Sequence, residues 1–212
     1  MPEIMPDEKK YSILFILNDA IQPIQANLPS ICNGLIKAGN DVHVIYSSLN
    51  LDENFEISLR KVPWIHAQKL KLSKKFTIAG LGLPLTIRGY IKRHDEIDVI
   101  HSFGLNAGIL SQLARIGLKT ATVNTPDMAL PATDSKSKPL KILVKLAIDN
   151  INYIYNRLVG KILFISENDK NLAAQHPSYR NIAGDVINLE ENEKELGYKL
   201  SQLYDQAIIK IK

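Results

Sequence analysis

The 212-residue sequence has one cysteine and no long uninterrupted run of apolar residues. A single cysteine excludes an internal disulfide, and Cys32 lies in an apolar helical pattern that favours a buried structural role. No apolar run reaches the roughly 18–20 residues that a membrane-spanning helix requires. The first ten residues are polar and of mixed charge, so they match neither a signal peptide nor an anchor. We therefore expect a cytoplasmic globular protein.

Acidic residues are absent from residues 57–94, although the formal net charge of the whole chain is only +4. This basic segment carries nine Lys and Arg residues interleaved with aliphatic and aromatic ones, a composition that suits an anionic surface at the inner face of the membrane. A solvated surface with Lys stems over apolar neighbours is the alternative, and no recognition motif supports nucleic acid as a partner. The residues predicted to meet a membrane surface are Trp64, Lys71, Lys74, Lys75 and Phe76.

Short apolar segments alternate with helical patterns along most of the chain. Strands are predicted at 11–17, 41–46, 97–101, 119–124, 161–166 and 182–188, with further short ones at 55–59 and 62–67. Helices are predicted at 24–38, 84–93, 105–116, 140–159, 167–175 and 190–212. Asn27 is the predicted cap of the first helix, Pro29 lies in its first turn, and Gly39 closes it.

This alternation predicts an α/β fold with a single Rossmann-like, doubly wound, mainly parallel sheet and helices on both faces. Three parts are expected: a polar tail at 1–10, the sheet domain at 11–188, and a C-terminal helix at 189–212 that packs back on it.

Polar side chains follow four of the predicted strands at the points where those strands end. They are Asn18, Asp19, His101, Ser102, Thr125, Asp127, Ser166 and Glu167. Because ligands of open parallel sheets bind beyond the carboxyl ends of the strands, these side chains are expected to converge on one rim. A His and an Asp at that rim can exchange protons with a hydroxyl substrate. His101 and Asp127 are therefore the predicted catalytic residues, and the other six are predicted to bind an acceptor.

Each of these residues also has a structural interpretation. Asn18 and Asp19, after the first strand, are residue types that commonly form turns. The position of His101 fits a hydrogen-bonded structural histidine equally well. Asp127, which follows Thr-Pro, can initiate a turn. Ser166 before Glu167 has the pattern of a helix N-cap followed by an acid near the positive end of the helix dipole. The occurrence of such residues at four strand ends is what favours a site.

Three segments resemble motifs of GT-B glycosyltransferases of family 4. Ile97-Asp-Val-Ile-His-Ser-Phe-Gly104 is similar to the family's D-V-(V/I)-H-x-H/x-G strand and turn, and Leu35-Ile-Lys-Ala-Gly-Asn-Asp-Val-His-Val44 to its L-x-x-x-G-H-x-V-x-V. Lys161 to Glu167 resembles its a-D-x-(V/I)-(I/L)-x-x-S-e segment. The ordered matches, over residues 11–176, imply the N-terminal, acceptor-side domain of a retaining enzyme that needs no metal.

The chain departs from that family in three ways. Family members usually carry a Gly-Gly pair in the first strand–helix loop, where backbone amides approach the donor phosphates, but residues 19–25 contain no glycine. Asp127 stands where the family often has a histidine. The second Rossmann-like domain, which normally makes most donor contacts, has no counterpart here, although residues 196–204 resemble the family's final helix.

We therefore predict an acceptor-side domain that contributes to glycosyl transfer from a nucleotide-sugar to a glycan or lipid-linked hydroxyl acceptor. A separate donor-binding chain is the predicted partner, the chain alone is expected to be inactive, and no cofactor or metal is predicted. The alternative is a non-catalytic remnant or a membrane-surface scaffold, which the glycine-free loop favours. A nicotinamide-dependent oxidoreductase is disfavoured because no Gly-x-Gly-x-x-Gly follows the first strand.

Overall fold

A computed structural model of the chain describes residues 10–17, 22–47, 53–70, 82–94, 97–126, 158–175, 179 and 184–209. The strands in these ranges are β1 (Ser12–Leu17), β2 (Asp41–Ser47), β3 (Ile65–Leu70), β4 (Ile97–Phe103), β5 (Ala121–Thr125), β6 (Lys161–Phe164) and β7 (Gly184–Val186). The helices are α1 (Gln22–Lys37), α2 (Glu53–Arg60), α3 (Gly82–Arg93), α4 (Leu105–Arg115), α5 (Glu167–Gln175) and α6 (Glu193–Ile209). None of these helices is long and apolar enough to cross a membrane.

The seven strands of the described ranges form one sheet in the order β3-β2-β1-β4-β5-β6-β7, and every neighbouring pair is parallel. The chain therefore starts at the centre of the sheet, builds one half, and crosses back between β3 and β4 to build the other. The predicted α/β, Rossmann-like, doubly wound sheet is confirmed.

Helices cover both faces of the sheet, so the strands are apolar throughout. β1 is buried at all six positions, as a central parallel strand must be. On one face Phe15 and Val44 pack with α1, α2 and α6, and on the other Leu14 and Ile100 pack with α3 and α4. Successive residues of a strand therefore belong to different cores.

The first helix begins earlier than its capping pattern predicts. α1 starts at Gln22, so Asn27 is not its cap and Pro29 lies inside the helix, not in its first turn. Pro23 occupies the first turn, where a missing N–H costs little, and the Asn27 side-chain amide donates to the carbonyl oxygen of Pro23 at 2.8 Å. The predicted closure at Gly39 is confirmed, with a left-handed φ of 89°.

The alternating segment at residues 55–59 is a helix, so the strand predicted there is wrong. In α2 the side chains of Phe55 and Leu59, four residues apart, are buried on one side, while Ile57 is 53% exposed. The apolar residues at positions 55, 57 and 59 fit both the two-residue repeat of a strand and the 3.6-residue repeat of a helix. The Phe55 ring packs edge-on against the ring of Tyr46 in β2, and this contact fits the helix. The next strand is β3, which starts three residues later than predicted. Most of the helix predicted at 140–159 lies outside the described residues.

The C-terminal helix α6 crosses α1 at a contact between two glycines. A Cβ added at Gly197 would lie 2.1 Å from the carbonyl oxygen of Gly34, and one added at Gly34 would lie 2.0 Å from the carbonyl oxygen of Glu193. No side chain fits such distances, so the two backbones touch directly. Beside this contact the Asn40 side-chain amide donates to Ser201 Oγ at 2.7 Å, and both residues are buried. The two glycines thus determine how closely α6 approaches α1.

Gly197→Ala is expected to lower the free energy of unfolding by about 1–3 kcal/mol, because the added methyl group must push two helix backbones apart. Gly89→Ala is the matched control, since Gly89 lies inside α3 and its Cβ would meet open space. That variant should gain roughly 0.5–1 kcal/mol from the better helix propensity of alanine. Urea unfolding followed by circular dichroism measures both changes. Similar results for the two variants would contradict a structural need for the glycine contact.

Candidate functional site at the carboxyl edge of the sheet

The carboxyl ends of the strands lie at one edge of the sheet, because all of its strands run parallel. The strand order reverses between β1 and β4, and ligands of such sheets bind in the crevice outside that point. β4 ends at Phe103 beside Thr125, the last residue of β5, so the strand ends predicted to carry the site adjoin each other. The predicted residues Asn18, Asp19 and Asp127 lie outside the described residues.

His101 of β4 is enclosed by protein, with 1% of its surface exposed. Its Nδ1 lies 2.7 Å from the Tyr204 hydroxyl of α6, and its Nε2 lies 2.9 Å from Oγ1 of Thr125. The ring also stacks on Phe103 with 4.6 Å between ring centroids. Burial lowers the pKa of His101 to about 3, so the imidazole is neutral at physiological pH. Proton transfer between His101 and a substrate would require one of the two hydrogen bonds to break.

The enclosure of His101 follows from its position in the strand. Val99 and Phe103, two residues to either side, belong to the core beneath α1 and α6, and His101 shares their face. Tyr204 is itself fully buried, and desolvation raises its pKa well above the ordinary value. In this arrangement His101 links α6 to the ends of β4 and β5. The catalytic role of His101 stays a prediction.

The opposite face of the same strand ends carries a second polar pair, Ser102 and Asn124. The register of β4 and β5 places the two residues side by side, and each is 1% exposed. Ser102 Oγ donates toward Asn124 Oδ1 at 3.1 Å and toward the carbonyl oxygen of Val123 at 3.2 Å. Asn124 Nδ2 is buried and has no hydrogen-bond partner in the part of the chain that the structure describes. Because an unsatisfied buried donor costs roughly 1–3 kcal/mol, this amide is a candidate ligand contact.

Helix α4 begins just beyond this pair, at the carboxyl edge. Gly104 is the N-cap residue, with a left-handed φ of 82°, and as a glycine it provides no side-chain cap. The N–H of Gly104 donates to the carbonyl oxygen of Thr125 at 2.8 Å, which ties the turn to β5. The first-turn N–H groups of α4, which Gly104 does not cap, therefore adjoin the Ser102–Asn124 pair, and such groups favour acceptor atoms of a ligand.

The Ser166 hydroxyl caps a helix at the end of β6. Ser166 Oγ accepts the N–H of Asp169 at 3.0 Å, the contact that defines an N-cap, and the same hydroxyl donates to Asp169 Oδ2 at 2.7 Å. Glu167, the first residue of α5, is exposed. The N-cap interpretation of Ser166 is confirmed, and acceptor binding by Ser166, Glu167, Ser102 and Thr125 stays a prediction.

Asn124 is the residue of this edge that was not predicted to act there. In the sequence it is the last position of a predicted strand, with Ala121 and Val123 before it. Asn is depleted in strands, and a polar side chain in a strand covered on both faces must find a partner. An asparagine at the end of a predicted buried strand was therefore the sequence signal that could have identified this residue.

The fold matches several solved structures. The chain is similar to a glycosyltransferase from Rickettsia africae, with a TM-score of 0.64 and 16% identity, covering 94% of this chain and 50% of that chain. It is similar to a sucrose-phosphate synthase from Thermosynechococcus elongatus, with a TM-score of 0.60 and 12% identity, covering 91% of this chain and 98% of that chain. It also matches HepE from Anabaena, in complex with UDP and glucose, with a TM-score of 0.54 and 19% identity, over 82% and 43% of the two chains.

These identities are too low to show more than the fold, which is glycosyltransferase-like and Rossmann-like. The chain spans half the length of the Rickettsia glycosyltransferase chain. No protein-family model and no curated protein matches the sequence.

The buried, neutral His101 is expected to make stability depend on pH. Its pKa is about 3 in the folded chain and near the ordinary 6.5 when unfolded, so below pH 6.5 the unfolded chain binds the additional proton. Stability should therefore decrease as the pH is lowered from about 6.5 to about 3, by up to about 1.4 kcal/mol per pH unit. His101→Gln, which keeps hydrogen-bonding groups but does not titrate, should show a slope smaller by this amount in urea unfolding. Above neutral pH the slopes should agree; equal slopes in acid would contradict the buried neutral imidazole.

Proposed function

We propose that the chain is the acceptor-side half of a glycosyltransferase, which holds a glycan or lipid-linked hydroxyl acceptor while a separate domain supplies the nucleotide-sugar. The observation that carries the proposal is the buried Nδ2 of Asn124 beside Ser102, which has no hydrogen-bond partner among the described residues and lies at the carboxyl edge near the reversal of strand order. A few convergent amide and hydroxyl groups in a largely apolar setting are what orient a small polar ligand.

The solved structures support a two-part enzyme. The chain corresponds to 50% of the Rickettsia glycosyltransferase and 43% of HepE, the proportion expected of one domain out of two. Helix α6 is the last described element, and it packs on α1, β4 and β5, which earlier residues form.

The proposed chemistry divides between this half and the donor domain. Electrostatic stabilisation of the leaving phosphates supplies much of the rate in such transfers, and it is assigned to the donor domain. On the acceptor side, Asp127 lies two residues after the end of β5 in the sequence and is the proposed base. His101 is proposed to position the end of β5 through its hydrogen bond to Thr125. A non-catalytic scaffold is the alternative, and it requires no acceptor at this edge.

Asn124→Leu tests the acceptor site, because leucine has the same branching and the same number of side-chain heavy atoms but lacks the amide. We expect the variant to be as stable as the parent or up to roughly 1–3 kcal/mol more stable, since an unsatisfied buried donor is lost. Acceptors are found by screening arrays of glycans and lipid-linked oligosaccharides, and their binding is measured by calorimetry. The substitution should weaken this binding at least about tenfold, the loss expected for one hydrogen bond.

Ser111→Ala is the control for this experiment. Ser111 is a buried residue of α4 whose hydroxyl donates within the helix to the carbonyl oxygen of Ala107 at 2.7 Å. Its removal should leave acceptor affinity unchanged. A parent chain that binds no acceptor, or an Asn124→Leu chain that binds as the parent does, would favour the scaffold instead.

We also propose that the basic segment 57–94 holds the chain against an anionic membrane surface, where a lipid-linked acceptor would be found. The described part of the segment supports this, because Trp64 is 65% exposed and Leu85 is 70% exposed. Trp64 has a left-handed φ of 62° in the turn before β3, an unusual conformation for a bulky residue. The predicted contacts Lys71, Lys74, Lys75 and Phe76 lie outside the described residues.

Replacement of Lys71, Lys74 and Lys75 by Glu is expected to abolish co-sedimentation with anionic liposomes at low salt. Each basic residue near such a surface contributes about 1 kcal/mol, and salt weakens the attraction as the screening length falls below about 10 Å. The matched control replaces Lys119, Lys170 and Lys194 by Glu, which changes the net charge equally outside the segment. If both triple variants sediment alike, or the parent fails to bind, the segment is an ordinary solvated surface.

A further inference from the structure

A second polar cluster lies at the amino edge of the sheet. Asp41 begins β2, His43 follows two residues later on the same face, and His66 is the direct partner of His43 on β3. One ligand-capable atom from each residue lies within 4.8 Å of the others. The backbone register brings the three together, because residues two apart in a strand share a face and paired residues of adjacent strands lie side by side.

The distances in the cluster suit a small metal ion. Asp41 Oδ2 lies 3.1 Å from His43 Nε2, and Asp41 Oδ1 lies 3.6 Å from His66 Nε2. Ligand atoms around a tetrahedral zinc ion, with bonds of roughly 2.0–2.2 Å, are about 3.4 Å apart. The two observed separations lie on either side of this value.

The three side chains differ in their exposure to solvent, and this difference suits a metal site that an ion can reach from solvent. His43 is 3% exposed, and its Nδ1 lies 2.8 Å from the hydroxyl of Tyr90 on α3. A hydrogen bond to the second ring nitrogen fixes the tautomer and orientation of a metal-bound histidine. The His66 side chain is 58% exposed, so an ion can enter from solvent and keep a water molecule as a ligand. One ligand is thus anchored in the interior and another is open to solvent.

We propose that Asp41, His43 and His66 bind one Zn²⁺ ion, with water as the fourth ligand. Two imidazoles and a carboxylate suit zinc, whereas Mg²⁺ takes oxygen ligands. The ion joins β3, the edge strand of the described sheet, to β2 and stabilises a strand none of whose side chains is fully buried. No metal was predicted from the sequence, in which the ligands come from two strands separated by α2.

Titration of Zn²⁺ into the untagged 212-residue chain tests the site. Calorimetry should show one ion bound per chain, and Co²⁺ should give the visible absorption bands of a tetrahedral complex. His66→Ala should weaken Zn²⁺ binding at least about tenfold. Gln68→Ala changes the next residue on the same face of β3 and should bind Zn²⁺ as the parent does. Mg²⁺ should not bind.

Thermal unfolding provides a second measurement. At roughly a hundredfold excess over Kd, Zn²⁺ should raise the Tm of the parent by about 5–10 °C. The Tm of His66→Ala should rise less, and because His66 is exposed its replacement should leave the metal-free fold intact. Absence of saturable binding by the parent, equal binding by parent and His66→Ala, or equally tight binding of Mg²⁺ would each overturn the proposal.

Discussion

The direct backbone contact between Gly34 and Gly197 is the constraint on which much of the structure depends. It lets α6 lie close enough to the sheet for Tyr204 to be fully buried and to reach His101. The same approach brings the two ends of the described chain together, where the Tyr11 hydroxyl donates to Asp205 and this bond raises the pKa of Tyr11 to about 12. A side chain at either glycine would separate the helices and weaken all of these contacts together.

The closeness of α6 also determines what the carboxyl edge can present to a ligand. Alternation along β4 and β5 directs His101 and Thr125 toward α6, and it directs Ser102 and Asn124 toward α4. On the first face a helix occupies the space and the polar atoms bond within the protein. On the second face a buried amide is without a partner in the described chain, beside a helix start that its N-cap residue Gly104 does not cap. The candidate site therefore lies on the α4 side of the strand ends.

The sequence was sufficient for the order of elements, since continuous apolar strands and glycine-terminated helices are local signals. α5 was predicted with its observed bounds, and the Ser166 cap follows from three adjacent residues. The prediction failed at residues 55–59, where the same apolar residues fit both the repeat of a strand and that of a helix. Contacts between distant parts of the chain could not be predicted at all. The environment of His101 depends on Tyr204, about a hundred residues later, and no local pattern reports that contact.

The two edges of the sheet allow separate functions in one small domain. A strand of six residues spans about 20 Å, so the amino-edge cluster on β2 and β3 and the carboxyl-edge pair on β4 and β5 share no side chain. Substitutions that far apart usually act independently on stability. An ion at Asp41 would stabilise the outer strand without entering the acceptor site, and an acceptor at Asn124 would satisfy a buried amide without altering the outer strand. Binding at either edge stabilises the same folded chain by mass action, so each ligand can be measured through unfolding with the other absent.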